Sequence, residues 1–357
     1  MIAVVLVGGE GTRLRPLTLD RPKPMLPIAG RPFLAHMLDR LARAGVRRVV
    51  FSCGYLPDAI VQEFGKGGAG WPALEYVVEP EPRGTAGGIR FAAHGRVDEP
   101  FLALNGDVLA ASDLADLASF HRDHAARATL TLIAVDDPTR YGLVLRDDAD
   151  RVTTFLEKPS REQAGAGPYW INAGAYALDP SVLELIPDDR PVSIEREIFP
   201  LLVREGLAGW SSSGFWSDIG TPESYIDANR AALSGDLGDA LAEIHAGAEV
   251  APSAVLAPPY AIAAGARVGA GATVGPHAVV GAGATVGARA TVRGSVLHEG
   301  AQIGADATVV DSVAGRDAVV GARASLAAHT ILGADVRVDA GETLSGERRS
   351  ATDGSRP

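Results

Sequence analysis

Residues 8–18 read Gly8-Gly9-Glu10-Gly11-Thr12-Arg13-Leu14-Arg15-Pro16-Leu17-Thr18, directly after the apolar run Ala3 to Val7. Three glycines in a turn that follows a β-type run let successive backbone N–H groups face a phosphate with no side chain between them. The stretch is not a P-loop, because no Gly-Lys-Ser/Thr closes it. Nor is it a dinucleotide fingerprint: Leu14 replaces the third glycine of GxGxxG, and Arg13 stands in the turn. A few residues on, Arg21-Pro22-Lys23-Pro24-Met25-Leu26-Pro27 sets Lys23 between two prolines, whose rings bias their neighbours to extended backbone. Lys23 is therefore expected on a stiff arm held outward. Arg13 and Lys23 can clamp a triphosphate and offset charge on departing pyrophosphate.

Working outward from that loop, Val49 to Ser52, Leu74 to Val78, Phe101 to Asn105 and Thr129 to Val135 are further apolar runs of the length of strands buried on both faces. Between the runs at residues 3–7 and 49–52, Phe33, Leu34, Met37, Leu38 and Leu41 recur at helical spacing, with Pro32 placed to start the helix and Gly45 to end it. Strand, helix, strand in that order predicts an α/β domain with a Rossmann-like, mostly parallel sheet and right-handed crossovers. Ligands of such sheets bind beyond the carboxyl ends of the strands. There the polar residues fall: Gly8 to Arg13, Glu79 and Asp107.

After about residue 232 the texture changes to Ala, Gly and Val with a six-residue period. Val250, Leu256, Ile262, Val268, Val274, Val280, Val286 and Val292 are six apart; a five-residue step leads to Leu297, Ile303 and Val309, and another to Ala314, Val320, Leu326, Leu332, Val338 and Leu344. This is the hexapeptide pattern of a left-handed parallel β-helix, each hexad giving one side of a triangular coil with its aliphatic residue inward. The expected division is a catalytic domain at 1–232, a linker at 233–248, the β-helix at 249–345 and a disordered tail at 346–357. The helix is expected to serve assembly or regulation, and a homo-oligomer is expected since exposed coil ends need a cap or a partner. His277, His298 and His329 raise the alternative of an acyltransferase site, against which stands the lack of any long insertion in the hexads.

The chain has 357 residues, 46% of them apolar, and a net charge of −11. That charge, with Lys and Arg scattered, argues against a nucleic-acid or anionic-membrane partner. Cys53 is the only cysteine, which excludes an intramolecular disulfide and fits a reducing compartment. With no charged leader before Ile2 and no apolar stretch long enough to span a bilayer, a cytoplasmic location is expected.

The pair GGEGTRLRPLT and RPKPMLP resembles the signature of the sugar-phosphate nucleotidyltransferases. Further matches follow in order: Glu79-Pro80-Glu81-Pro82-Arg83-Gly84-Thr85-Ala86-Gly87, Asn105-Gly106-Asp107, Tyr141-Gly142, Glu157-Lys158-Pro159, Asn172-Ala173-Gly174 and Phe215-Trp216-Ser217-Asp218-Ile219-Gly220-Thr221-Pro222. The resemblance covers the catalytic domain nearly end to end. It implies a reaction in which an oxygen of a sugar 1-phosphate attacks the α-phosphorus of a nucleoside triphosphate in line and pyrophosphate leaves, so that catalysis is chiefly positioning and charge neutralisation. By the same resemblance, Gly8, Gly9, Gly11, Thr12, Arg13, Lys23, Glu79 and Gly84 hold the nucleotide. Asp107 and Asp218 hold Mg²⁺, Lys158 meets the phosphate of the sugar, and Gly142, Glu157, Asn172 and Tyr176 meet its hydroxyls. Glu195, in Ser193-Ile194-Glu195-Arg196-Glu197, is a further candidate that an ordinary charged helix face explains almost as well.

Glu79 stands five before Gly84 where thymidylyl and uridylyl relatives commonly carry Gln. A carboxylate accepts two hydrogen bonds and donates none, which suits the adjacent N1–H and N2–H₂ of guanine better than a pyrimidine edge. The resemblance is nearest to mannose-1-phosphate guanylyltransferases. Glucose-1-phosphate thymidylyltransferase, heptose-1-phosphate guanylyltransferase and a non-catalytic nucleotide-sugar sensor stand as alternatives.

Overall fold

A computed structural model describes residues 1–54, 57–68, 70–238 and 243–351. The chain divides into two compact units, and the division interrupts the expected catalytic domain. Met1–Gly9 and Leu34–Trp216 form the first; Glu10–Phe33 joins Ser217 and everything after it in the second.

The first unit is built on a mixed sheet. Its centre is parallel: Phe101–Asn105, Ile2–Leu6, Arg48–Cys53 and Trp71–Val78 lie side by side in that order. Tyr169–Leu178 then pairs antiparallel with Phe101–Asn105, and Gly142–Arg146 and Val152–Glu157 extend that edge. Ala128–Val135 also joins Tyr169–Leu178 antiparallel and takes Leu207–Ser211 on its other side. Antiparallel pairing prevails in this half, yet Leu207–Ser211 runs parallel to Ala128–Val135, and helix Leu114–His124 still precedes that strand. Val4, Val50, Ala103, Leu130 and Tyr176 sit on one face against Ile89, Ile198 and Phe199, all nearly inaccessible. Each such large side chain contributes about 1.5–3 kcal/mol by leaving water. The expected helix spans Phe33–Arg43, and Gly45 follows it at φ 72°, the left-handed conformation that ends helices cheaply at glycine.

In the second unit the hexads form three parallel sheets wound into one left-handed β-helix. Val250, Val268, Val286, Ile303, Val320 and Val338 stack in register, one per coil. In the inner coils the residue two before the inward aliphatic side chain is buried too and is mostly alanine, as at Ala266, Ala272, Ala284, Ala290, Ala301 and Ala307. One corner departs from this rule with Ser295, Ser312 and Thr330, each fully buried. Ser295 Oγ donates to the Arg293 carbonyl at 2.7 Å and accepts from Ser312 N at 3.1 Å, while Ser312 Oγ donates to the Val310 carbonyl at 2.7 Å. Both five-residue steps fall at this corner, between Thr291–Arg293 and Val296–Leu297 and between Thr308–Val310 and Val313–Ala314. The hydroxyls take up the Ser312 amide and the Val310 carbonyl, while the Arg293 carbonyl also accepts from Asp311 N at 3.0 Å.

The coils extend further in both directions than expected. Glu243–Ile244 already pairs with Ala261–Ile262, inside the span assigned to a linker, and Arg348–Arg349 pairs with Ile331–Leu332, inside the span assigned to a disordered tail. The polar last strand survives because its main-chain bonds need no apolar side chain, and Arg349 pairs with Glu342 at 2.7 Å. Residues 352–357 lie outside the described residues. No helix among the described residues is long and apolar enough to cross a membrane.

Candidate active site

At the carboxyl ends of the parallel strands in the first unit, two close backbone approaches shape the site. Gly106 N donates to the Leu6 carbonyl at 2.8 Å, and a Cβ on Gly106 would run into that same oxygen. Glycine there lets the turn carrying Asp107 lie tight against the strand that leads into Gly8. Gly8 in turn packs on Gly54, whose nitrogen lies 3.5 Å from where a Gly8 side chain would begin.

Glu79 is anchored on both carboxylate oxygens. Ser52 Oγ donates to one at 2.6 Å and the Arg83 amide to the other at 3.1 Å, which fixes the plane of the group and leaves lone pairs on each oxygen for a ligand. Ser52 was not a candidate from the sequence; a small hydroxyl inside a buried strand gives no signal until its neighbour is known. Gly84, at φ 71°, does not face open space. A Cβ there would lie 2.5 Å from the Val192 carbonyl oxygen, and that oxygen accepts from Ala86 N at 2.9 Å. Gly84 therefore docks the start of helix Gly84–Ala93 on the segment leading to Glu195. Gly84→Ala is expected to lower unfolding free energy by about 2–3 kcal/mol, through positive φ and the clash together. Urea unfolding measures it, and a midpoint equal to the parent's would refute this role.

The sugar-side candidates gather in the same unit. Gly142 is paired with Glu157, and a Gly142 side chain would strike the Phe155 ring at 2.6 Å. Lys158 holds the uncommon φ of 50°, and its Nζ lies 3.9 Å from Glu157 Oε1 with the side chain 59% exposed. Strain of this kind in a non-glycine residue persists where surroundings enforce it. Burial raises the Glu157 pKa, the nearby Glu195 carboxylate adds to the rise, and Lys158 opposes it. Glu195 is thus part of this group and not merely one residue of a charged helix face: it accepts from Thr85 Oγ1 at 2.7 Å and Ser193 Oγ at 2.8 Å. Trp216 and Tyr141 meet edge to face at 5.2 Å, and Trp216 Nε1 donates to the Ala173 carbonyl. Tyr176 departs from its expected role. It is 0% exposed, so its hydroxyl cannot reach a sugar; it accepts from Asn172 Nδ2 at 3.0 Å and so orients that amide across an irregularity in the strand.

Arg13, Lys23 and Asp218 belong to the second unit. Gly11, at φ 63°, begins a short 3-10 turn over Thr12–Leu14, and Thr18 Oγ1 closes the loop by donating to the Gly11 carbonyl at 2.8 Å. The Arg13 guanidinium lies against Gly220, where a Cβ would come within 2.7 Å of its Nη2. Lys23 is not on an outward arm. It starts a 3-10 turn over Lys23–Met25 and is only 6% exposed, with Nζ donating to the Asp218 carbonyl at 3.0 Å. Pro22 is extended as expected, but Pro24 fits the second position of a 3-10 turn, so the two prolines direct Lys23 inward.

Asp107 and Asp218 are both half-buried. In either unit a single hard carboxylate is a donor that Mg²⁺ accepts, since the ion fills its octahedron with water and phosphate oxygens. Among the described residues no three His, Cys, Asp or Glu side chains gather into a protein-only cage. His298 is committed elsewhere: it is 2% exposed and its Nε2 lies 3.0 Å from Tyr225 Oη.

A nucleotidyl transferase family model matches residues 2–235, and one for the GMPPB C-terminal domain matches residues 256–348. The chain belongs to the nucleotidyl transferase family. It is a nucleotidyltransferase. Over 261 residues it is 45% identical to the mannose-1-phosphate guanylyltransferase of Mycobacterium tuberculosis, covering 69% of this chain and 70% of that protein. The mannose-1-phosphate guanyltransferase of Saccharomyces cerevisiae is 39% identical over 232 residues, which is 63% of either chain. Among solved structures, HddC from Yersinia pseudotuberculosis superposes with a TM-score of 0.54 at 30% identity, covering 64% of this chain and 97% of HddC. The same protein complexed with GMP-PN gives 0.53 at 30% identity with the same coverage.

Proposed function

We propose that this nucleotidyl transferase moves the guanylyl group of GTP onto mannose 1-phosphate, giving GDP-mannose and pyrophosphate. A phosphate oxygen of the sugar phosphate forms a bond to the α-phosphorus, the bond from that phosphorus to the bridging oxygen breaks, and pyrophosphate carries the electron pair away. Backbone amides of Gly8, Gly9, Gly11 and Thr12, with Arg13 and Lys23, bind and orient the triphosphate. Lys158 binds the sugar's phosphate and lowers the repulsion between two anions; Gly142, Glu157, Glu195 and Asn172 select the hydroxyls, with Tyr176 acting through Asn172. Asp107 and Asp218 would hold Mg²⁺, which when bound supplies positive charge against the charge growing on the phosphate oxygens.

The observation that carries the guanine reading is Glu79, held rigid by Ser52 and the Arg83 amide at the strand ends. The names of the curated relatives support both substrates. A cytoplasmic location fits a chain whose single cysteine, Cys53, is a buried free thiol and leaves no intramolecular disulfide to be made. A homo-oligomer fits the first coil, where Ile244 and Val255 are left 44% and 57% exposed.

Pyrophosphate release with Mg²⁺, measured across five nucleoside triphosphates and the 1-phosphates of mannose, glucose, galactose, N-acetylglucosamine and a heptose, tests the proposal. Release should be greatest with GTP and mannose 1-phosphate. In Glu79→Gln, kcat/KM for GTP should fall about 10²-fold, because a donor amide now faces guanine donors. Preference for dTTP with glucose 1-phosphate in the parent enzyme would overturn the substrate assignment.

A further inference from the structure

Helix Gly84–Ala93 carries a stripe that the catalytic reading does not use. Arg83, Gly87, Arg90, Phe91 and His94 recur at steps of three and four, so they share one face. Together with Arg96 and the Pro187–Asp188 turn they line a cleft of about 430 Å³. In a chain of net charge −11 this wall holds three arginines and a histidine against one lining carboxylate, Asp188, whose side chain is 75% exposed.

The cations are held in place by contacts that use only part of their hydrogen-bonding capacity. The Arg83 guanidinium lies 4.7 Å over the Phe91 ring; its Nη1 donates to the Asp188 carbonyl at 3.5 Å, and its Nε has no hydrogen-bond partner among the described residues. Arg90 donates to the Ile186 carbonyl and, at 3.4 Å, to the Asp188 carboxylate. Arg96 Nε meets Glu75 at 2.6 Å, and its Nη1 meets the His94 carbonyl at 3.4 Å. A guanidinium has five donors, so each arginine keeps some in reserve, and the ordering entropy of the three side chains is already spent. At Gly87 the wall carries no side chain, and a Cβ there would sit 2.9 Å from Arg83 Cβ.

We propose that this cleft binds the phosphate dianion of a small molecule, and that its occupancy is transmitted to the base-reading turn through Arg83. Both backbone groups of Arg83 are tied to the site. Its amide donates to Glu79 Oε2 at 3.1 Å, and its carbonyl accepts from Val192 N at 2.8 Å, beside the segment that carries Glu195. An anion bound by the Arg83 guanidinium, which already lines the cleft, acts on the residue whose backbone amide holds Glu79. The ligand is either free phosphate or a phosphate monoester, since both present the same oxygens to the arginine forks.

Calorimetric titration of the full chain with inorganic phosphate and with glycerol 3-phosphate, at ionic strength fixed with sodium chloride, tests the site. Saturable binding should weaken about tenfold or more in the double variant Arg90→Gln with Arg96→Gln, recover in the corresponding Lys pair, and weaken in His94→Glu, whose exposed position makes no demand on folding. Tighter binding of the ester identifies a metabolite as the ligand, and equal or weaker binding identifies free phosphate. Binding that survives the double variant and is lost in Lys158→Gln would overturn the proposal, by placing the phosphate where the sugar phosphate belongs. Absence of saturable binding would overturn it too. The titration reads binding and not turnover, so its outcome is independent of which nucleotide and sugar the enzyme accepts.

Discussion

Asp107→Asn is expected to lower kcat about 10³-fold while leaving the thermal midpoint within about 2 °C of the parent. The substitution keeps shape and removes charge. Asp107 follows Gly106, whose amide is bonded to the Leu6 carbonyl, so the position of residue 107 is set by backbone contacts that asparagine preserves. What asparagine cannot supply is the negative oxygen that a hard divalent cation requires. Pyrophosphate release over a range of Mg²⁺ concentrations measures the effect. If the loss is less than tenfold and independent of Mg²⁺, Asp107 is not a metal ligand in the reaction.

Acid should loosen the second unit through His298, by about 3 kcal/mol between neutral pH and pH 4. An imidazole ordinarily titrates near 6.5; burial pushes His298 down to about 4, Arg21 pushes the same way, and Glu299 and Asp20 oppose it. The folded chain therefore stays unprotonated at His298 between those values while the unfolded chain binds a proton. Stability falls as pH falls through that window, and the contribution is complete above pH 6.5. The hydrogen bond fixes which nitrogen of the neutral ring carries its proton. Tyr225 Oη donates to the Pro27 carbonyl at 2.5 Å, so it must accept from His298 Nε2. Urea midpoints from pH 7.5 to 4.5 in the parent and in His298→Gln give the test. The variant should lose much of the slope, and equal slopes would show that another group controls the acid response.

Much of this molecule could be read directly from its residues, for identifiable reasons. The β-helix was legible because one residue in six must be aliphatic, and nothing else imposes that period. Its corner of Ser295, Ser312 and Thr330 was not, since a hydroxyl that closes a shortened turn looks like one that faces water. The strand ends pointed correctly to Glu79 and Asp107, because topology places strand ends. Lys23 was misjudged in direction because two prolines restrict φ without saying which way the next turn folds. Tyr176 was misjudged because a motif records which residues gather and not which of them stands behind another. Glu195 could not be separated from its acidic neighbour Glu197 until its contact with Thr85 was known, 110 positions apart along the chain.

In the second unit, the segment Glu10–Phe33 is held by residues that come very late in the chain. Arg21 pairs with Glu299, Asp20 with Arg316 at 3.0 Å, and the Arg13 carbonyl accepts from Arg348 at 2.9 Å. On the ribosome, roughly 300 further residues must be polymerised before the last of these partners exists, a wait of about 15–60 s. During that interval the signature loop has been made but lacks its final supports. A stop codon a few coils early would therefore spare every residue of the proposed active site and still leave its loop unfinished.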